Sequence, residues 1–245
     1  RLVSDWSSDV CSSDLVGIYT VRLDGTQRTR IVLFPSDGLI TFTDWSRSAG
    51  PNGQKLLAFV AEFPGDIYND VYVVNPDGTG LLNLTQTPDD FETDCAWSSD
   101  GSRLYVVRML PTGIQFELRE ILLGVDGSGN VTKIGDTMLY QAPAAEFVFL
   151  RTSNTGDRLV FSNLYNSTTL GIHTMDLGAP SPTPARLTTG NDRWASFSQN
   201  DSKIAYHQSG SGGGIFVMNS DGSGKVRINS KGVDPNWKRP APSGP

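Results

Sequence analysis

Apolar and polar positions alternate along this chain in short runs, and each run ends in a turn. Val71-Tyr72-Val73-Val74 enters Asn75-Pro76-Asp77-Gly78 and leaves through Asn83-Leu84-Thr85. Ile215-Phe216-Val217-Met218 enters Asn219-Ser220-Asp221-Gly222 and leaves through Arg227-Ile228. The same order recurs in Ile18-Tyr19-Thr20-Val21 with Asp24-Gly25 before Arg30-Ile31, and in Ile121-Leu122-Leu123 with Asp126-Gly127 before Lys133-Ile134. A worn copy runs from Ile172-His173-Thr174-Met175-Asp176 to Arg186-Leu187-Thr188. β-Branched and aromatic residues bounded by Gly, Asn and Asp predict short half-buried strands. Pro76-Asp77-Gly78 predicts a type I turn, with Pro fixing φ and Gly in the left-handed position. No long stretch has helical periodicity, so little helix is expected.

A second signature lies between the hairpins. Trp97-Ser98-Ser99-Asp100-Gly101-Ser102-Arg103-Leu104 reads as an aromatic, a polar turn, a basic residue and a strand, and Phe197 to Ile204 repeats it at the same spacing. Trp45-Ser46 leads to Lys55-Leu56 with an insertion, Phe149 leads to Arg158-Leu159 with a stretched turn, and Trp237 opens one more copy. Each unit is expected to hold a post-aromatic strand, a variable strand, the apolar strand and the basic-aliphatic strand. A four-stranded antiparallel sheet repeated about every 50 residues predicts an all-β fold, a β-propeller of four-stranded antiparallel blades. Units at 45–85, 97–134, 149–188 and 197–229 give four complete blades, and residues 16–33 give a partial one. The opening aromatic is expected to pack between blades.

The order of these motifs resembles the TolB-like propeller repeat, whose consensus runs Ile-Tyr-Val-Met-Asn-x-Asp-Gly, Arg-Leu-Thr, then Trp-Ser-Pro-Asp-Gly-x-Lys-Ile-Ala-Phe. Residues 71–107 and 215–237 are the best copies, and the resemblance extends from Val16 to Trp237. Ser99 stands where the family has Pro, and the third unit lacks the aligned Trp, so its geometry is expected to depart from the others. Propellers of this kind close with about six blades, so the resemblance implies a chain truncated from a larger propeller. It also implies a non-catalytic protein- or peptide-binding propeller of the periplasm, the secreted space or the cell envelope. TolB itself works with a peptidoglycan-associated lipoprotein. The alternative is a regulatory or substrate-gating propeller of a prolyl oligopeptidase-like hydrolase, or a metal-dependent lyase whose catalytic part lies elsewhere.

Residues 1–15 are set apart. Asp5-Trp6-Ser7-Ser8-Asp9-Val10-Cys11-Ser12-Ser13-Asp14-Leu15 resembles one reading frame of a sequencing adaptor, and Trp6 stands too close to Tyr19 for a blade's strands. It is read as a non-native segment, the propeller as 16–237, and 238–245 as a Pro/Gly-rich tail. Cys95 is then the one remaining cysteine, which forms no internal disulfide. The net charge of −6 disfavours a nucleic-acid surface, which needs clustered Lys and Arg. No apolar run is long enough for a membrane span.

Candidate chemistry is sparse. His173 and His207 lie on strands without a second ligand at metal spacing, and no Gly-x-Ser-x-Gly elbow occurs. Gly222-Ser223-Gly224-Lys225 lacks the upstream Gly and the following Ser/Thr of a phosphate loop. The turns at Asp77, Asp126 and Asp221 lack the ligand set of a calcium loop. No cofactor and no catalytic residue is therefore assigned. The sequons at Asn83 and Asn166 are read as coincidental. Carboxylates do precede the opening aromatics: Asp44 before Trp45, Asp94 before Trp97, Asp192 before Phe197 and Asp234 before Trp237. They predict either an acidic ring at a channel mouth, binding a cation or a basic partner segment, or caps on their own turns. Arg108-Met109-Leu110-Pro111-Thr112-Gly113-Ile114 is apolar for a loop, and Gln208–Gly214 reads as a flexible spacer.

Overall fold

The computed structural model describes residues 17–22, 24–34, 38–63, 66–143, 147–164 and 170–237. These contain eighteen β-strands and no helix. β1 (Gly17–Thr20) and β2 (Thr29–Leu33) form a two-stranded sheet. Four four-stranded sheets follow as meanders. The first contains β3 (Leu39–Trp45), β4 (Leu57–Glu62), β5 (Asp70–Val74) and β6 (Leu82–Asn83). The second contains β7 (Phe91–Trp97), β8 (Arg103–Met109), β9 (Gln115–Val125) and β10 (Val131–Pro143). The third contains β11 (Phe147–Thr152), β12 (Arg158–Asn163), β13 (Gly171–Asp176) and β14 (Ala185–Arg186). The fourth contains β15 (Asp192–Phe197), β16 (Lys203–Gln208), β17 (Gly214–Asn219) and β18 (Val226–Asn229). Two compact units result: the chain up to Pro111 with Glu120–Asp136, and Thr112–Arg119 with the chain from Thr137 onward.

The repeat is as expected, but the aromatic sits elsewhere within it. Trp45, Trp97 and Phe197 end the first strand of their sheets rather than preceding it. The variable strand is this first strand. Between Trp97 and β9 there is room only for β8. The third sheet is also more regular than the sequence suggested. Thr152 pairs with Leu159 as Trp97 pairs with Leu104, so Thr152, not Phe149, is the counterpart of the aromatic. Thr152-Ser153-Asn154-Thr155-Gly156-Asp157-Arg158 then has the length of the Trp97 turn, with Ser, Gly and Arg at the same places. Ser98, Ser153 and Ser198 each accept a hydrogen bond through Oγ from the backbone N–H five residues on, at 3.1, 3.0 and 3.0 Å.

Strand alternation explains the core of the first unit. Along β4, Leu57, Phe59 and Ala61 face β1–β2, where they meet Ile18, Ile31, Val32 and Phe34. Ala58 and Val60 face the other way, with Trp97, Leu104, Val106 and Ile121. A strand apolar on both faces is what a sheet stacked between neighbours requires, and each buried Val, Leu or Phe side chain stabilises it by about 1.5–3 kcal/mol. In the second unit Val160 and Ile172 pack with Phe197, Ile204, Tyr206 and Met218.

Turn chemistry fixes the hairpins. Gly78 N–H donates to Asn75 O at 3.0 Å and Gly78 has φ 85°, as Pro76-Asp77-Gly78 requires. The turn after β9 is shifted: Gly129 N–H donates to Asp126 O and Gly129, not Gly127, is left-handed. Asp126 thus corresponds to Asn75 rather than Asp77. At the start of β13, Gly171 has φ 136°, and a Cβ there would run into Thr188 O. Gly171→Ala is expected to cost about 2–4 kcal/mol from backbone strain and overpacking. Urea denaturation measures it, and a change below 1 kcal/mol would show that this crossing relaxes freely.

Candidate functional site

The first strand of each four-stranded sheet carries one extra residue shortly before its end. The register shifts between Ile40 and Phe42, Glu92 and Asp94, Val148 and Arg151, and Arg193 and Ser196. Such bulges re-aim side chains. The residue three before the strand-ending position is Phe42, Asp94, Phe149 or Trp194, and Asp234 stands three before Trp237. Phe149, Trp194 and Asp234 are all left-handed, with φ of 59°, 54° and 49°. That conformation is uncommon for any non-glycine residue and an outlier for bulky ones, and strained residues of this kind concentrate at functional sites.

In the second unit these three residues come together. The Phe149 and Trp194 rings lie 5.1 Å apart at 43°, and the Trp194 ring lies 5.4 Å from His207. A small cleft is lined by Phe149, Arg151, Trp194, Ser196, Asp234 and Pro235. Ser196 Oγ donates to Pro235 O at 2.9 Å and Trp237 Nε1 donates to Ser196 O at 3.0 Å, which holds the Asp234 segment against β15. Half-buried aromatic faces beside an arginine and a carboxylate suit a ligand with both apolar and charged groups.

The four predicted carboxylates occupy three register positions. Asp94 and Asp234 are counterparts. Asp44 precedes its aromatic by one residue and accepts the Trp97 N–H at 3.1 Å, so it bonds to the neighbouring sheet. Asp94 accepts the N–H of Cys95 at 2.7 Å. Asp192 pairs across the ladder with Gln208, as Glu92 pairs with Arg108, so its counterpart is Glu92. It is 1% exposed, and neither carboxylate oxygen has a hydrogen-bond partner among the described residues. Only Asp234 joins the aromatic cleft.

A buried polar network in the first unit escaped the sequence reading. Glu92 is fully buried; Arg108 Nε donates to it at 2.9 Å and Thr87 Oγ1 at 3.1 Å. Asp90 lies 3.4 Å from the same guanidinium. Asp70 accepts from Thr85 Oγ1 and from Asn83 Nδ2, both at 2.7 Å. Burial pushes the Glu92 carboxyl up to about 7, against the opposing pull of Arg108. Glu92 stands five residues before Trp97 and Arg108 four after Leu104, so only the bulge between Glu92 and Asp94 sets them opposite each other, and counting from the turn does not reveal the pair. The motif residues prove structural. Val71 N–H donates to Thr85 Oγ1 at 3.0 Å, and Ile172 N–H to Thr188 Oγ1 at 2.9 Å.

The remaining motifs behave as turns. Asp77 and Asp221 accept from the N–H and hydroxyl of Thr79 and Ser223, which hold their carboxyls below the usual range. Gly222 N–H donates to Asn219 O within the β17–β18 hairpin, and Lys225 Nζ donates to Leu187 O, which follows β14 of the third sheet. His173 is buried and stacks on Phe161. Among the described residues no three metal-binding side chains cluster, and no helix is long and apolar enough to cross a membrane.

Successive four-stranded antiparallel meanders, joined outer strand to next inner strand, are the blades of a β-propeller. Solved structures agree on the fold. TolB from Acinetobacter baumannii superposes with a TM-score of 0.57 at 17% identity, over 84% of this chain and 46% of that one. An oligogalacturonate lyase in complex with manganese gives 0.56 at 17% identity, over 79% and 51%. A TolB-type protein from Agrobacterium tumefaciens gives 0.54 at 13% identity, over 89% and 91%. The chain thus spans about half the length of the first two. No protein-family model matches it, and no curated protein does.

Proposed function

We propose that this chain is a non-catalytic propeller that binds a protein or peptide in the periplasm, the secreted space or at the cell envelope. The observation carrying this reading is the pair of left-handed aromatic residues, Phe149 and Trp194, in ring contact beside Arg151 and Asp234. Strain at two bulky residues costs about 1–3 kcal/mol each and is kept where a presented side chain has a use. Aromatic and arginine side chains are also the usual anchors of protein interfaces. The TolB structures share the fold at low identity, and the envelope location rests on that likeness.

Panning a random peptide library against the immobilised protein tests the reading. Enriched peptides are expected to lose at least about tenfold in affinity to Trp194→Ala, a loss typical of an interface anchor. Lack of enrichment, or peptides indifferent to both Trp194→Ala and Phe149→Ala, would remove it.

A further inference from the structure

Beyond the aromatic pair, His207 leads into a groove of about 470 Å³ between the β16–β17 loop and the chain leaving β18. Its lining is basic and rich in glycine. Arg227 and Lys231 contribute positive charge, and no Asp or Glu lines it, although the chain carries a net charge of −6. Neither cation has a carboxylate partner among the described residues. Arg227 Nη1 donates to Gly212 O at 3.0 Å, which fixes the guanidinium across the groove while leaving its other donors available. Gly210 and Gly212 are left-handed and face open space, so a ligand can reach the backbone of this wall. The Nδ1 of His207 is buried without a hydrogen-bond partner among the described residues, although its residue lines the groove. A buried polar atom in that state calls for a missing partner.

We propose that this groove binds a carboxylate-bearing segment of the peptide partner, an acidic side chain or a free C-terminus, with Arg227 and Lys231 as charge partners. This rests on the peptide-binding reading above. An arginine fork and exposed loop amides match the planar oxyanion, the groove volume falls in the range of small-ligand sites, and the Trp194 ring packed at a tilt against His207 joins it to the aromatic cleft.

Calorimetric titration at fixed ionic strength tests it, with three probes: a library-selected peptide with a free C-terminus, its amidated and charge-neutralised twin, and inorganic phosphate. Binding of the acidic peptide is expected to exceed that of its neutral twin at least about tenfold. The difference is expected to vanish in the Arg227→Gln/Lys231→Gln double variant, whose exposed positions should leave the melting temperature unchanged. Phosphate competing with the acidic peptide would support the groove. Equal binding of both peptides, or binding lost on Trp194→Ala but untouched by the double variant, would overturn the groove while leaving the aromatic site standing. Phosphate binding that depends on Arg227 and Lys231, without peptide binding, would retain an anion site and remove the peptide reading instead.

Discussion

Replacing Arg108 by alanine is expected to destabilise the protein by about 3–5 kcal/mol at pH 8 and clearly less at pH 5. The guanidinium is the cation that compensates Glu92, which is fully buried, and deleting one partner of a buried pair leaves an uncompensated charge. The pH dependence follows from the carboxyl itself. Glu92 is raised from 4.5 to about 7 in the folded protein, chiefly by burial, with Asp70 adding repulsion and with Arg108 and Thr87 opposing. A raised folded value means that the folded state holds the proton longer. The contribution to stability is therefore fully present below pH 4.5 and is lost as pH rises through about 7. With a folded value of about 7 the carboxyl already holds its proton at pH 5, so removing Arg108 leaves little uncompensated charge there, whereas at pH 8 it strands the carboxylate. Urea denaturation of wild type, Arg108→Ala and Glu92→Gln at both pH values measures this. Glu92→Gln is expected to flatten the wild-type decline between pH 4.5 and 7. An equal loss at both pH values for Arg108→Ala would show that Glu92 is not what the arginine compensates.

That network also shows how sequence legibility divides. The blades were readable because each strand repeats one alternation and each hairpin carries its own turn chemistry. Asn75-Pro76-Asp77-Gly78 needs no distant residue to form. The Thr of Asn83-Leu84-Thr85 is visible as a motif, yet its bonds to Val71 and Asp70 appear only when two strands meet. Phe149 misled for a similar reason. By sequence, Phe149 takes the place of the aromatic that opens the unit, whereas Thr152 holds that place and Phe149 sits on the bulge. Serine at 153 was the better guide, because its Oγ must accept the Arg158 N–H.

The candidate site was less readable than the fold. Asp234 was singled out as an acid before an aromatic, but what distinguishes it is a left-handed backbone shared with Phe149 and Trp194. No residue type announces that conformation, since Gly and Asn are its usual occupants. Asp44 and Asp192 looked equivalent to it in composition and differ from it in register. The loop Gln208–Gly214 read as a spacer, and its role beside Arg227 depends on β18 returning alongside β17.

Trp97→Ala is expected to cost about 3–5 kcal/mol, the usual range for removing a fully buried aromatic. Trp97 is 1% exposed and packs in the cluster joining the first two four-stranded sheets. Its backbone N–H donates to Asp44 Oδ2 at 3.1 Å and its ring N–H to Asp44 O at 3.0 Å. Trp237 repeats the ring bond to Ser196 O, the counterpart of Asp44 one sheet-step earlier in the repeat. The indole thus serves as a strut from one blade to the preceding one, and not only as apolar filling. Trp45 provides the internal control. Its ring N–H is buried and has no partner among the described residues, and the neighbouring β1–β2 correspond to third and fourth strands, whereas the accepting carbonyl comes from a first strand. Trp97→Phe is therefore expected to lose about 1–2 kcal/mol through the broken bond. Trp45→Phe removes an unsatisfied donor and is expected to cost less, since only packing changes. Thermal and urea denaturation of the three variants measure the difference. If Trp45→Phe proved as damaging as Trp97→Phe, the indole would matter for its volume alone, and the ring bond would not be what ties adjacent blades together.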